Sequence, residues 1–155
     1  MMVFEKIKEL LDTSHTPYLL SIHEPVRTSQ EAAHIRGTDL KTGAKAMVIK
    51  AAGQYFLFVL PAYKKLNWKK VKHILAVKDV RLATEEEAEH LTGVKVGGVP
   101  PFGNILGLST YYDTEISTMD EVNFNAGLKT HSINMKTKDL VKLVRPIIHS
   151  FTTEL

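Results

Sequence analysis

Two β-rich runs, Ala46–Ile49 and Tyr55–Leu60, are joined through the short stretch Ala51-Ala52-Gly53-Gln54. So short a link can close a hairpin but cannot carry the crossover of a dozen or more residues that parallel strands need. An antiparallel pair therefore sits near the middle of the chain, and the other elements must be arranged around it. Several later strands also follow one another closely. Helical and extended patterns interleave, but with hairpins among them, which favours a mixed sheet over a doubly wound parallel one. At 155 residues, the chain makes one domain over 1–155 and can bury about two-thirds of its unfolded surface.

Periodicity places the remaining elements. Val3, Phe4, Ile7, Leu10 and Leu11 recur at helical spacing, predicting an amphipathic helix over 2–13. Pro17 precedes an apolar run, Tyr18–Ile22, that reads as a strand. Thr28 with Glu31 has the capping-box form and predicts a short helix, Ser29–Arg36, closed by Gly37. Asn67–Ala76 reads as a lysine-bearing helix. Thr84 with Glu87 is a second capping box, opening a helix that ends near Thr92-Gly93. Short strands are expected at Thr110–Tyr112, Glu121–Phe124 and Ser132–Met135. A final helix should open at Thr137 or Lys138 and run to Arg145, where Pro146 follows. Helices at both ends and the starting Met1 favour a free-standing chain.

Much chemistry is excluded by the residues the chain lacks. Without cysteine there is no disulfide, thiolate zinc site or cysteine nucleophile. No apolar run is long enough for a membrane helix, and the N-terminus lacks the apolar core of a signal peptide, so a cytoplasmic setting is expected. Phosphate-loop, dinucleotide-binding, zinc-hydrolase and serine-esterase motifs are all missing. The seven histidines lie at 15, 23, 34, 73, 90, 131 and 149, without the i, i+4 pairing of a helical metal site.

Charge is segregated along the chain. From Lys41 to Arg81 there are ten Lys/Arg and one acid, Asp79; from Leu82 to Glu121 there are eight acids and one base, Lys95. A basic face that attracts phosphate-bearing ligands can result, although a solvated helix face accounts equally well for any one lysine cluster. The stretch holding Asp113, Glu115, Asp120 and Glu121 reads as solvated.

The least ordinary segment is Gly97-Gly98-Val99-Pro100-Pro101-Phe102-Gly103. Adjacent glycines let amide N–H groups approach a ligand, and two prolines stiffen the exit. Such a loop can cradle a carbonyl oxygen or an anion; taken alone, it serves as well as a tight turn.

In order and spacing, this loop combines with His23-Glu24-Pro25, Gly43-Ala44-Lys45-Ala46, Val59-Leu60-Pro61, Leu82-Ala83-Thr84-Glu85-Glu86, Phe124-Asn125-Ala126-Gly127 and His131-Ser132-Ile133. The set, covering about residues 3–145, resembles the YbaK/prolyl-tRNA synthetase editing-domain family, whose members hydrolyse amino acids wrongly attached to tRNA. The resemblance implies an α+β fold around a mixed, partly barrel-like sheet. It also implies a deacylase that needs no metal or cofactor. Its partners would be a mischarged tRNA, held at its acceptor end, and prolyl-tRNA synthetase, with no membrane association.

It further implies that Lys45 holds the phosphate or ribose of the last nucleotide, although a lysine between Ala44 and Ala46 reads from sequence alone as readily as a surface residue. Amides from Gly97 to Gly103, those of Gly97, Gly98 and Gly103 among them, would contact the reacting carbonyl or the substrate amine, while Val99, Pro101 and Phe102 shape the pocket. His23, Asn125, Ala126, Gly127 and Ser132 would line the remainder, with His131 a proton shuttle, a ribose contact or a plain exposed histidine. With no obvious general base, the neighbouring ribose hydroxyl would assist the attacking water. The amino acid removed stays open among alanine, cysteine, serine and threonine. Two other classes remain: a non-catalytic tRNA-binding or synthetase-associated module, and a small-molecule hydrolase or amino-acid sensor.

Overall fold

The computed structural model describes residues 1–25 and 40–154, so the helix expected at 29–36 lies outside the described residues. The predicted hairpin forms β2 (Ala44–Ala51) and β3 (Gln54–Pro61), paired from Ala44↔Pro61 to Ala51↔Gln54. Its two-residue turn has Ala52 at φ 51° and Gly53 at φ 74°, the doubly left-handed geometry whose twist matches antiparallel strands.

β3 explains why the run from Tyr55 to Leu60 is apolar throughout rather than alternating. Leu57 and Val59 enter one core and Phe58 and Leu60 another, on opposite faces of the strand. A strand buried on both faces has no polar side to show. It lies at the centre of a five-stranded mixed sheet, ordered β5-β2-β3-β6-β9, where β5 is Val80–Leu82, β6 Ser109–Asp113 and β9 Ile147–His149. β3–β6 and β6–β9 are parallel, and the pairs of β2 with β3 and β5 are antiparallel.

A second sheet, β1-β8-β7, is antiparallel, with β1 at Tyr18–Ile22, β7 at Glu121–Leu128 and β8 at His131–Lys136. The larger core lies between the sheets. There Val48, Leu57 and Val59 meet Phe124, Ala126, Ile133 and Met135, sealed by Ile7 and Leu11 of α1 (Val3–Thr13). The smaller core lies on the far face of the five-stranded sheet, beneath α2 (Trp68–Leu75), and contains Ile49, Phe58, Leu60, Val71 and Phe151. A single parallel bridge, Gly43↔Asn123, brings β2 alongside β7 and joins the two sheets. The α+β fold with mixed sheets is thus present.

The second capping box forms as expected. Thr84 Oγ1 accepts from Glu87 N, and Glu87 Oε1 accepts from Thr84 N, opening α3 (Glu85–Thr92). Short helices α4 (Gly103–Leu106) and α5 (Thr114–Ser117) had no periodic signature. The helix from Thr137, α6 (Thr137–Val144), is not the last element. After it come β9 and then β10 (Thr152–Glu154), which pairs with β4 (Lys64–Leu66).

One expectation is overturned. Asp113 is not solvated but 2% exposed, and it is a structural hub. Its Oδ2 accepts from Glu115 N to cap α5, and its Oδ1 accepts from Phe151 N, fixing the turn between β9 and β10. Glu115 is likewise engaged, with Lys64 (2.9 Å) and with the Tyr63 hydroxyl.

Local geometry gives two testable outcomes. Asp113→Ala should lose about 2–4 kcal/mol, because a cap disappears and the buried Phe151 N–H is orphaned; denaturant unfolding reads this, and Asp113→Asn should lose clearly less. Ala52→Asn should raise stability by about 0.5–1 kcal/mol in the same assay, since asparagine tolerates the left-handed turn position better than alanine.

Candidate functional site

Strand alternation in the β1-β8-β7 sheet turns Val122, Phe124, Ala126, Ile133 and Met135 into the core. Their alternates, Asn123, Asn125, Ser132 and Asn134, therefore share the other face, and register pairs them as Asn123↔Asn134 and Asn125↔Ser132. The result is a row of polar side chains. Asn134 Nδ2 donates to Asn123 Oδ1 (2.9 Å), and Asn123 Nδ2 donates to Thr42 Oγ1 (2.7 Å). At the other end Ser132 Oγ lies 2.6 Å from His23 Nε2 and 3.3 Å from Asn125 Oδ1. His23 Nδ1 is 2.7 Å from the Glu24 carbonyl, which can only accept, so Nδ1 carries a hydrogen. The one Ser132 hydroxyl hydrogen serves either His23 Nε2 or Asn125 Oδ1, since the carboxamide oxygen can only accept.

Asn125 links this row to the glycine-proline loop, because its Nδ2 donates to the Gly97 carbonyl. Two residues along, Gly127 N donates to Gly98 O at 2.8 Å. Gly127 lies in a β-bulge at φ 89°, and an added Cβ would stand 3.0 Å from Phe4 N, so glycine is required where α1 crosses β7. With both glycine carbonyls held by β7, the loop is fixed in place. Gly98 N is used on Lys95 O, and the prolines have no N–H. Among the described residues, neither the Gly97 nor the Val99 amide donates to a protein acceptor.

Lys45 stands on the adjoining strand. Two residues beyond the bridged pair Gly43↔Asn123 come Lys45 and Asn125, at the same level. Its stem is half-buried, and among the described residues its ammonium has no hydrogen-bond or ion-pair partner. Burial alone, with no compensating charge, pushes its pKa below the ordinary 10.5. A cavity of about 250 Å³ opens beside this strand under the loop, walled by Ala46, Val48, Ala83, Ala88, Val96 and Val99 with Glu85 at its margin.

The remaining expected residues are distributed differently. Phe102 is fully buried, edge-on to Phe124 at 5.7 Å between ring centres, and Ala126 is in the same core. Pro101 is buried, its carbonyl accepting from the Tyr112 hydroxyl. An added Cβ on Gly103 would come within 1.4 Å of Thr110 Oγ1, so that glycine answers to packing. His131 points away from Ser132: it packs edge-on to Phe4 at 4.8 Å and meets Thr130 Oγ1 at 2.8 Å. Sequence reading missed Asn123, Asn134 and Thr42. The signal was present, as polar residues at i and i+2 in Asn123-Phe124-Asn125 and Ser132-Ile133-Asn134.

Fold and site together define a YbaK-like α+β editing domain. The crystal structure of a hypothetical protein, APE2540, superposes with a TM-score of 0.85 at 27% identity, covering 96% of this chain and 99% of that one. That of a candidate trans-editing enzyme for prolyl tRNA synthetase gives 0.85 at 25%, covering 97% of each. The aminoacyl-tRNA editing domain model matches residues 23–143, and the chain belongs to this family of aminoacyl-tRNA deacylases. It is 30% identical over 152 residues to the multifunctional Ser/Thr-tRNA deacylase ProXp-y of Escherichia coli K12, covering 95% of this chain and 91% of that protein. It is also 30% identical over 115 residues to the proline–tRNA ligase of Caldicellulosiruptor bescii, covering 74% of this chain but 19% of the ligase. No helix among the described residues is long and apolar enough to cross a membrane.

The lowered Lys45 pKa has a stability consequence. Between that lowered value and 10.5 the unfolded chain binds more protons than the folded one, so stability rises with pH across this window. Below it, the cost of burying the charge is fully present. Lys45→Met should therefore unfold at an equal or higher temperature than the wild type at pH 7, and the difference should shrink as pH approaches 10.5.

Proposed function

We propose that the chain removes a small, wrongly attached amino acid from the 3′ end of a tRNA in trans, with serine and threonine first among the candidates and proline tRNA among the carriers. The observation that carries this reading is the half-buried Lys45 ammonium, without a counter-charge among the described residues and level with Asn125. Leaving such a cation half-desolvated costs stability, which a bound anion offsets. The terminal nucleotide of a tRNA supplies a phosphate for it. The family match supports the aminoacyl ester as substrate, and the relative named a Ser/Thr-tRNA deacylase supports the choice of amino acids.

In this reading Lys45 anchors the last nucleotide, and Asn125, braced by Ser132 and His23, holds the loop against it. The Gly97 and Val99 amides donate to the oxyanion that develops as water adds to the ester carbonyl. The bond from that carbon to the ribose oxygen then breaks, and the ribose oxygen takes up a proton to leave as a hydroxyl. The neighbouring ribose hydroxyl orients or activates the water. The amino-acid side chain reaches past the edge of β2 into the cavity beside Ala46 and Val99, on the opposite face of the strand from Lys45, and its small walls set a limit on size. Sieving of this kind is needed because a synthetase pocket rejects an analogue one methylene smaller by only about 1–3 kcal/mol. His131, turned toward Phe4, has no role in the step. The domain acts over 1–155 as a unit, alongside prolyl-tRNA synthetase.

A panel of proline-tRNA esters carrying alanine, cysteine, serine, threonine and proline tests the reading. Wild type should hydrolyse serine or threonine esters and spare proline. Lys45→Ala should lower kcat/KM by about 100-fold or more, and Asn125→Ala by about tenfold or more as the loop loosens. A terminal nucleotide lacking the neighbouring hydroxyl should bind normally and turn over hardly at all. Hydrolysis that survives in Lys45→Ala would defeat the proposal.

A further inference from the structure

We infer that the outer surface of α2 and β4 is the docking site for the duplex backbone of the RNA whose end reaches Lys45. The inference rests on the deacylase reading for its RNA and on separate observations for its place. The cations of the basic block do not share one environment. Lys50 and Arg81 share Glu87, and Lys64 pairs with Glu115, so part of their charge is offset. Lys65, Lys69 and Lys72 meet no carboxylate among the described residues, and Lys70 reaches only the Ser150 hydroxyl at 3.3 Å.

Their placement works against helix stability. α2 begins at Trp68 behind its cap Asn67, so Lys69 and Lys70 occupy its first turn, where the helix dipole disfavours positive charge, and that turn holds no acid. Lysines serving only solubility would sit better in the last turn. Trp68 is 37% exposed beside them, a flat apolar surface on which an unpaired base next to the duplex can stack.

The surface also adjoins the site. Val71 and Leu66 pack in one cluster with Met47, Ile49 and Leu60, on the far face of the five-stranded sheet. Lys45 pairs with Leu60 and alternates with Met47, so its side chain leaves from that same face. One pleat, roughly 7 Å, separates Lys45 from Met47. A duplex lying along α2 and β4 can thus send its single-stranded end toward Lys45 without crossing the sheet.

The test compares Lys65→Gln/Lys69→Gln/Lys70→Gln with a charge-matched control, Lys6→Gln/Lys138→Gln/Lys142→Gln. The probe is an RNA hairpin bearing no amino acid, with a four-nucleotide 3′ tail, titrated by fluorescence anisotropy at several salt concentrations. The α2–β4 variant should bind at least about tenfold more weakly at low salt. Its slope of log affinity against log salt should be shallower by about 2–3, roughly one for each phosphate that no longer has a lysine beside it. The control should stay within about twofold of wild type. With a hydrolysable aminoacyl-tRNA, KM should rise in parallel with kcat unchanged, and hydrolysis of the same ester on adenosine alone should not change. Equal losses in both variants, an unchanged salt slope, or no hairpin binding by the wild type would overturn the inference. Wild type that binds the hairpin but cleaves neither ester would instead count against the deacylase reading and leave the surface supported.

Discussion

β3 is buried on both faces, and this condition organises the molecule. A strand with apolar residues on each side needs a core on each side. One forms between the two sheets under α1, and the other forms beneath α2. Its partner β2 must then divide its own side chains between the same two cores. Ala44, Ala46 and Val48 go to the first, Met47 and Ile49 to the second, and Lys45 is left at the end of the second series. The half-burial of Lys45 thus follows from the packing demand of its neighbour.

The second sheet contributes the polar counterpart. Its inner face is as apolar as β3, but its outer face carries Asn123, Asn125, Ser132 and Asn134, a row of two hydrogen-bonded pairs. Such a row is rigid because each member is held by at least one other, which suits a surface that must keep a loop in position. The bridge at Gly43↔Asn123 sets Lys45 level with that row, and the contacts from Asn125 and Gly127 fix the loop to it. At Lys45, burial without a partner among the described residues weakens the fold, a cost that a bound anion would offset.

Features with short-range causes were legible in the sequence. The hairpin announced itself by spacing, the Thr84–Glu87 cap by its residue pair, and α1 by its apolar stripe. The C-terminal strands Ile147–His149 and Thr152–Glu154 were not legible, since three residues carry no usable period. What holds them is remote: the Asp113 carboxylate on Phe151 N, and pairing with Lys64–Leu66. Asp113 read as solvated for the same reason, because its partner lies 38 positions away. In the loop, glycines and prolines signalled stiffness, but nothing local distinguished the core residue Phe102 from a pocket wall.

Sequence by itself determined the mixed α+β class, the central hairpin, the clustering of basic residues and, through ordered motifs, the editing family. These depend on neighbours along the chain and on composition, and both are written in order. Tertiary structure decided which residues meet. It gathered His23, Ser132, Asn125 and Gly97 into one row, turned His131 toward Phe4 and left Lys45 without a counter-ion among the described residues. Strand register sets those outcomes, and register is a property of two strands at once: a shift of one residue would send every side chain to the opposite face.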